Sequence, residues 1–120
     1  MSSRELGAWG EELAAGYLRR KGYTILERNY ACRFGEIDLI ARHRGVVAFV
    51  EVKLRKNANF AEAREFVTYA KQQRILKSAS LWLAAHNCEL QPRFDVVEIY
   101  APAGLETKRP QINHLADAFS

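Results

Sequence analysis

The stretch Val46-Val47-Ala48-Phe49-Val50-Glu51-Val52-Lys53-Leu54-Arg55 constrains this chain more than any other. Side chains of a strand alternate between faces. Val46, Ala48, Val50, Val52 and Leu54 therefore share one wholly apolar face. Val47, Phe49, Glu51, Lys53 and Arg55 share the other, which begins apolar and turns charged halfway along. A surface strand would be polar along its whole outer face, and a fully buried one would stay apolar. The pattern describes a strand buried at its start that opens into a polar cleft at Glu51. A carboxylate and an ammonium two residues apart on such a face are costly unless they pair or bind something.

The segment Glu36 to Arg42 precedes it across the short turn His43-Arg44-Gly45, so the two strands should form an antiparallel hairpin. Alternation places Ile37, Leu39 and Ala41 on one face and Glu36, Asp38 and Ile40 on the other. With the turn centred on Arg44 and Gly45 supplying conformational freedom, Asp38 falls nearly opposite Val50. A small bulge would then bring it to Glu51. Two adjacent carboxylates repel, and a divalent cation relieves the repulsion. Mg²⁺ typically binds through one or two carboxylates plus water and phosphate oxygens. The Lys53 ammonium could then orient or deprotonate a water, or offset charge on a phosphate. The plainer alternative is a structural salt bridge among Asp38, Glu51 and Lys53.

The remaining elements set this hairpin in a mixed α/β domain spanning residues 1–120. Leu6, Trp9, Leu13, Tyr17 and Leu18 recur at helical spacing over residues 4–21, with Ser3 as N-cap and Gly22 as stop. Residues 23–30 read as a strand, and residues 60–86 as helix, in one or two pieces. Pro92 opens a strand over Arg93 to Tyr100. Residues 101–110 read as a loop, and 111–120 as a short edge strand or a turn of helix. The order α-β-β-β-α-β argues for a mixed sheet flanked by helices.

A formal charge of +4 and a pI near 9.3 suit a nucleic-acid partner without requiring one. The bases cluster at Arg19-Arg20-Lys21, at Lys53, Arg55 and Lys56, and at Lys71, Arg74 and Lys77. The first cluster also suits the negative end of a helix dipole. Lys71, Arg74 and Ser78 share a helical face. Arg55, Lys56, Lys71 and Arg74 are the candidate phosphate contacts, giving affinity without sequence preference. The alternative for each is a solvated surface charge. Cys32 and Cys88 have no metal-type spacing and read as free thiols of a reducing compartment. His43, His86 and His114 are scattered. Asp95 reads as fixing Arg93 or a backbone group. No apolar run approaches the roughly 18 residues of a membrane helix, and the first residues lack a signal-peptide core. The expectation is a cytoplasmic protein without membrane contact.

Asp38 followed by Glu51-Val52-Lys53 resembles the PD-(D/E)xK nuclease superfamily, with Ile37 in place of the proline. The closer resemblance is to the YraN family of uncharacterised bacterial proteins, which in turn resemble archaeal Holliday junction resolvases. It rests on Gly10-Glu11 with Ala14 and Leu18, Asn29, Gly35 to Ala41, Phe49 to Lys53, Lys71, Arg93 to Val97, and His114 to Phe119. It implies a restriction-endonuclease-like fold and a Mg²⁺- or Mn²⁺-dependent endonuclease. Asp38, Glu51 and Lys53 would be catalytic, and Glu11 would join Asp38 and Glu51 as a metal ligand in preference to Glu12. From composition alone Glu11 is an ordinary solvated helix residue. The resemblance also implies branched DNA as substrate and a homodimer, since a two-fold junction needs paired cuts. The rival readings are a non-catalytic nucleic-acid-binding module, which would hold DNA equally well in chelator, and a structural adaptor with no salt-dependent DNA affinity.

Overall fold

The computed structural model of the protein describes residues 3–56 and 68–119. Its elements are helix α1 (Ser3–Arg20), strands β1 (Thr24–Cys32), β2 (Gly35–His43) and β3 (Val46–Arg55), helix α2 (Tyr69–Ala85), and strands β4 (Gln91–Tyr100) and β5 (Gln111–Phe119). A 3-10 turn, Gly104–Glu106, lies between the last two strands. The helix expected over residues 60–67, the side chain of Ser3 and the final residue Ser120 lie outside the described residues. The tail, left open between strand and helix, is an edge strand, so the order is α-β-β-β-α-β-β.

The five strands form one mixed sheet in the order β1-β2-β3-β4-β5. Only β3 and β4 run parallel, joined by the crossover that contains α2, and the other neighbours are antiparallel. A parallel pair needs such a crossover, and its helix covers a face of the sheet. The alternation in β3 sorts the core into two layers. Ala48 and Val50 meet Ala14, Ala15 and Leu18 of α1, with Val52 and Leu54 packed at the margin. Val47 and Phe49 meet Ile75, Ala79 and Trp82 of α2 on the opposite face. Full burial of a side chain such as Leu18 stabilises the fold by about 2 kcal/mol.

Local chemistry fixes the ends of these elements. Gly22 takes φ +95° just past α1, and the Tyr23 N–H reaches back to the Leu18 carbonyl at 2.9 Å, closing the last turn. Gly10 lets α1 approach β3 closely: a Cβ there would lie 3.1 Å from the Leu54 side chain. The β2–β3 turn differs from expectation. Arg44, not Gly45, takes the left-handed conformation, at φ 56°.

Thr68 caps α2 by accepting the Lys71 N–H at 3.1 Å. Thr68→Ala should lower stability by about 1 kcal/mol, read by chemical denaturation. The capped turn carries Lys71, whose ammonium pairs with Glu51. A change below a few tenths of a kcal/mol would mean that packing alone holds this turn.

Candidate active site

The site forms where β2 and β3 part. His43 pairs with Val46, so the turn is centred between Arg44 and Gly45, and the ladder runs to Leu39 opposite Val50. One more step in that register would set Asp38 opposite Glu51, so the bulge expected from sequence is not needed. Instead the ladder stops, and the Asp38 carboxylate takes over its function. Oδ2 of Asp38 accepts the Val52 N–H at 2.8 Å, satisfying an amide that has lost its strand partner. Ile37 also departs from simple alternation, joining the α2-side cluster with Ile40 rather than the cluster of Leu39 and Ala41. The departure falls where β2 no longer has β3 beside it.

Asp38 and Glu51 line one cavity of about 280 Å³ with Gly35, Glu36, Lys71, Arg74 and Ile75. Glu51 is only 6% exposed. Burial and then the Glu51 charge push the Asp38 carboxyl up to about 7. The charge of Glu11 adds to this rise, while the Val52 amide and Lys71 oppose it.

Lys71 shares a basic helical face that suits phosphate contacts, and the family resemblance favours it near the cleft. Its ammonium forms an ion pair with the Glu51 carboxylate inside the cavity. It also meets Lys53, so the two lysines and two carboxylates form one charge cluster. Burial, and then the Lys71 charge, pull the Lys53 ammonium below the usual lysine range. Burial disfavours the Lys71 ammonium too, but the bond and charge of Glu51 outweigh it and hold Lys71 above that range. Lys71 thus gives Glu51 an ion-pair partner, and the charges of Glu51 and Asp38 favour the Lys53 ammonium against burial and Lys71. The apolar stripe of α2 directs Ile75 and Trp82 into the sheet, and Lys71 lies one turn before Ile75 on that same side. That periodicity was the available signal for an inward-facing Lys71.

The other candidates divide. Arg74 is exposed at the cavity wall, as a phosphate contact requires. Arg55 departs from the exposed position expected of a phosphate contact: its guanidinium is largely buried and bonds Glu98 at 2.7 Å. Strand β4 supplies that acid, which inspection of β3 alone could not show. Lys56 is exposed but lies beside a separate cleft with Leu6, Ala101 and Pro102. Ser78 is withdrawn from the shared face, buried with its hydroxyl donating to the Arg74 carbonyl at 2.8 Å. Glu36 is exposed on the cavity wall. Cys32 and Cys88 are free thiols. Asp95 fixes both Arg93 and a backbone amide, the N–H of Asp117.

The donor set fits a hard divalent cation in chemistry. Two carboxylates share a poorly solvated cavity, and one is raised by the other's charge, which is the repulsion such an ion relieves. The fit stops at two ligands. Among the described residues no three His, Cys, Asp or Glu side chains are gathered closely enough to hold an ion. Glu11 is near enough to influence Asp38 but does not complete a triad with Asp38 and Glu51. Mg²⁺ commonly completes its shell with water and phosphate oxygens, so two carboxylates suffice in principle.

Fold and site together define a mixed α/β domain with a half-buried acid–lysine cluster at the parting of two sheet strands. The chain belongs to the uncharacterised protein family UPF0102, whose profile matches residues 10–99. A UPF0102 protein of Nocardia farcinica is 50% identical over 115 residues, covering 95% of this chain and 88% of the relative. One from Caldanaerobacter subterraneus is 44% identical across 99% of this chain and 98% of its own length. One from Clostridioides difficile is 42% identical across 99% and 100%. No described helix is long and apolar enough to cross a membrane.

Proposed function

We propose that this protein is a metal-dependent endonuclease of restriction-endonuclease-like fold, acting on phosphodiester bonds of nucleic acid. One observation carries the reading: Asp38 and Glu51 converge where the β2–β3 ladder ends, with Lys53 two residues beyond Glu51 and in contact with Lys71. Asp38 and Glu51 would hold Mg²⁺ or Mn²⁺, with the Glu11 charge nearby. The bound ion would polarise a phosphoryl oxygen and acidify a water. Lys53, with its ammonium disfavoured by burial, is suited to take a proton from water or to neutralise developing charge on phosphate. Lys71 pairs with Glu51 and orients it, and Arg74 at the wall contacts the phosphate backbone. The finer form of the proposal is branched DNA, cut by a homodimer in the cytoplasm. It rests on the resemblance to junction resolvases.

The Lys71–Glu51 ion pair favours a second reading, since it satisfies Glu51 without any cation. On that reading the protein binds nucleic acid without cutting it. The test incubates the purified protein with duplex, single-stranded and four-way-junction DNA in Mg²⁺, Mn²⁺ or chelator. Cleavage in metal and none in chelator supports the nuclease. Equal binding in metal and chelator with no cleavage supports the binder. No salt-dependent affinity for any of the three excludes both.

A further inference from the structure

Beside the cavity lies a feature that its chemistry does not use. Phe34 stands in the turn between β1 and β2, with two cations close to its ring. The Arg33 guanidinium lies 4.8 Å from the ring centroid and the Lys77 ammonium 5.9 Å. With Leu76, Lys77, Ser80, Leu81 and Ala84 of α2, the ring lines a shallow groove of about 440 Å³. None of these described lining residues is acidic.

The groove adjoins the site. Gly35, next to Phe34, lines the cavity, and a Cβ on it would sit 3.8 Å from the Arg74 Cβ. Along α2 the cations follow in order: Lys71 in the cavity, Arg74 at its wall, Lys77 at the groove. Six helical steps separate the first from the last, about 9 Å along the axis. A chain of phosphates entering the cavity and following this ridge would bring a neighbouring base to Phe34. A π-face with flanking cations and an apolar shelf is the combination that stacks a nucleobase.

We infer that the Phe34 groove is a stacking subsite for an unpaired nucleobase adjoining the phosphate held in the cavity. The inference rests on the nucleic-acid reading of that cavity and narrows its substrate. In a continuous duplex both faces of each base are covered by neighbours, so the groove selects nucleic acid with an unstacked nucleotide: a single strand, a flap, a gap or a branch point. The line of cations Lys71, Arg74 and Lys77 leading from the cavity to the groove favours a phosphate-bearing occupant over an apolar helix of another protein.

The test is equilibrium binding in chelator, where nothing is cut, with oligonucleotides carrying 2-aminopurine either unpaired or within a blunt duplex. The wild type should quench the unpaired fluorophore. Phe34→Ala should weaken binding of the unpaired form by about 5- to 100-fold, the range of one base–aromatic stack. Its duplex affinity should stay within about two-fold, and Phe34→Tyr should retain wild-type binding of the unpaired form. Lys77→Ala should weaken both forms alike and lower the salt slope by about one. If Phe34→Ala weakens both forms equally or neither, the stacking subsite is refuted while nucleic-acid binding at the cavity stands. A wild type that binds neither form refutes both. Quenching that persists in Phe34→Ala and vanishes in Arg74→Ala would place the base inside the cavity and overturn the subsite.

Discussion

Asp38→Asn is expected to make this protein more stable at pH 8 and to abolish the DNA cleavage proposed for it. The substitution keeps the side chain's shape, and an amide oxygen can still accept the Val52 N–H that Asp38 accepts at 2.8 Å. What it removes is a charge the folded protein disfavours. Burial and the Glu51 carboxylate raise the Asp38 acid to about 7, against roughly 3.9 for an unfolded Asp. Between those values the folded state binds more protons than the unfolded one. Stability is therefore fully present below about pH 4 and declines as pH rises through about 7, at up to about 1.4 kcal/mol per unit. The variant lacks most of this decline. Denaturation in chelator should show the variant gaining on wild type from pH 5 to pH 8, and added Mg²⁺ should narrow the gap by stabilising wild type alone. Cleavage should fall by at least about 10²-fold, as for loss of a preorganised electrostatic group. Nucleic-acid affinity should be unchanged or higher, because a negative charge has left the cavity. Lys53→Ala should lower cleavage by a similar factor without the pH-dependent gain. A variant less stable than wild type at pH 8, or one that still cuts, would place the active carboxylate elsewhere.

Much of this site could be read from periodicity. Alternation along β3 separates Val50 and Val52 from Phe49 and Glu51, and each set faces its own helix as the pattern requires. Asp38 was reachable because a hairpin turn fixes register to within a residue. The remaining error came from the turn: Arg44 pays the left-handed strain that Gly45 was expected to absorb, and the pairing shifts by one. Arg55 was misjudged because alternation gives a face but not the neighbour across it. Glu98 comes from β4, brought alongside β3 by the parallel crossover, and such long-range pairing leaves no mark in a local window. The family resemblance favoured Lys71 near the cleft, but its neighbours alone did not. A lysine among other bases reads as solvated until the sheet opposite is known, and that sheet carries Glu51. The tail was ambiguous because β5 is an edge strand with a bulge, and bulges break the period of two.

That bulge leads to the second large effect, the loss of stability expected from Asp95→Ala. Asp95 is fully buried on the α1 side of β4, away from the cavity. It accepts two bonds from Arg93, at 2.9 and 2.8 Å, and one from His114 at 2.7 Å. It also accepts the N–H of Asp117, at 3.1 Å, where β5 slips register and Asp117 takes φ 55°. Arg93 extends the network to the Tyr23 hydroxyl, and Tyr23 stacks on His43. One carboxylate thus ties an irregular edge strand to the centre of the sheet and to the end of the first hairpin. Removing it leaves a guanidinium, an imidazole and an amide without their acceptor, which for a broken buried ion pair costs about 3–5 kcal/mol. Acid should reproduce the loss in the wild type. Burial alone would raise the Asp95 acid, but His114, Arg93 and the Asp117 amide outweigh it and hold it at about 2. Because this pKa is depressed, the stabilisation is fully present above about pH 4 and is lost as pH falls toward 2. Urea denaturation at pH 7 should give the full difference between wild type and Asp95→Ala, and the difference should shrink steadily below pH 4. Nucleic-acid affinity per folded molecule should not change, because the cavity lies on the other face of the sheet. A loss under 1 kcal/mol, or a difference constant down to pH 2, would show that packing and not this carboxylate holds β5 in place.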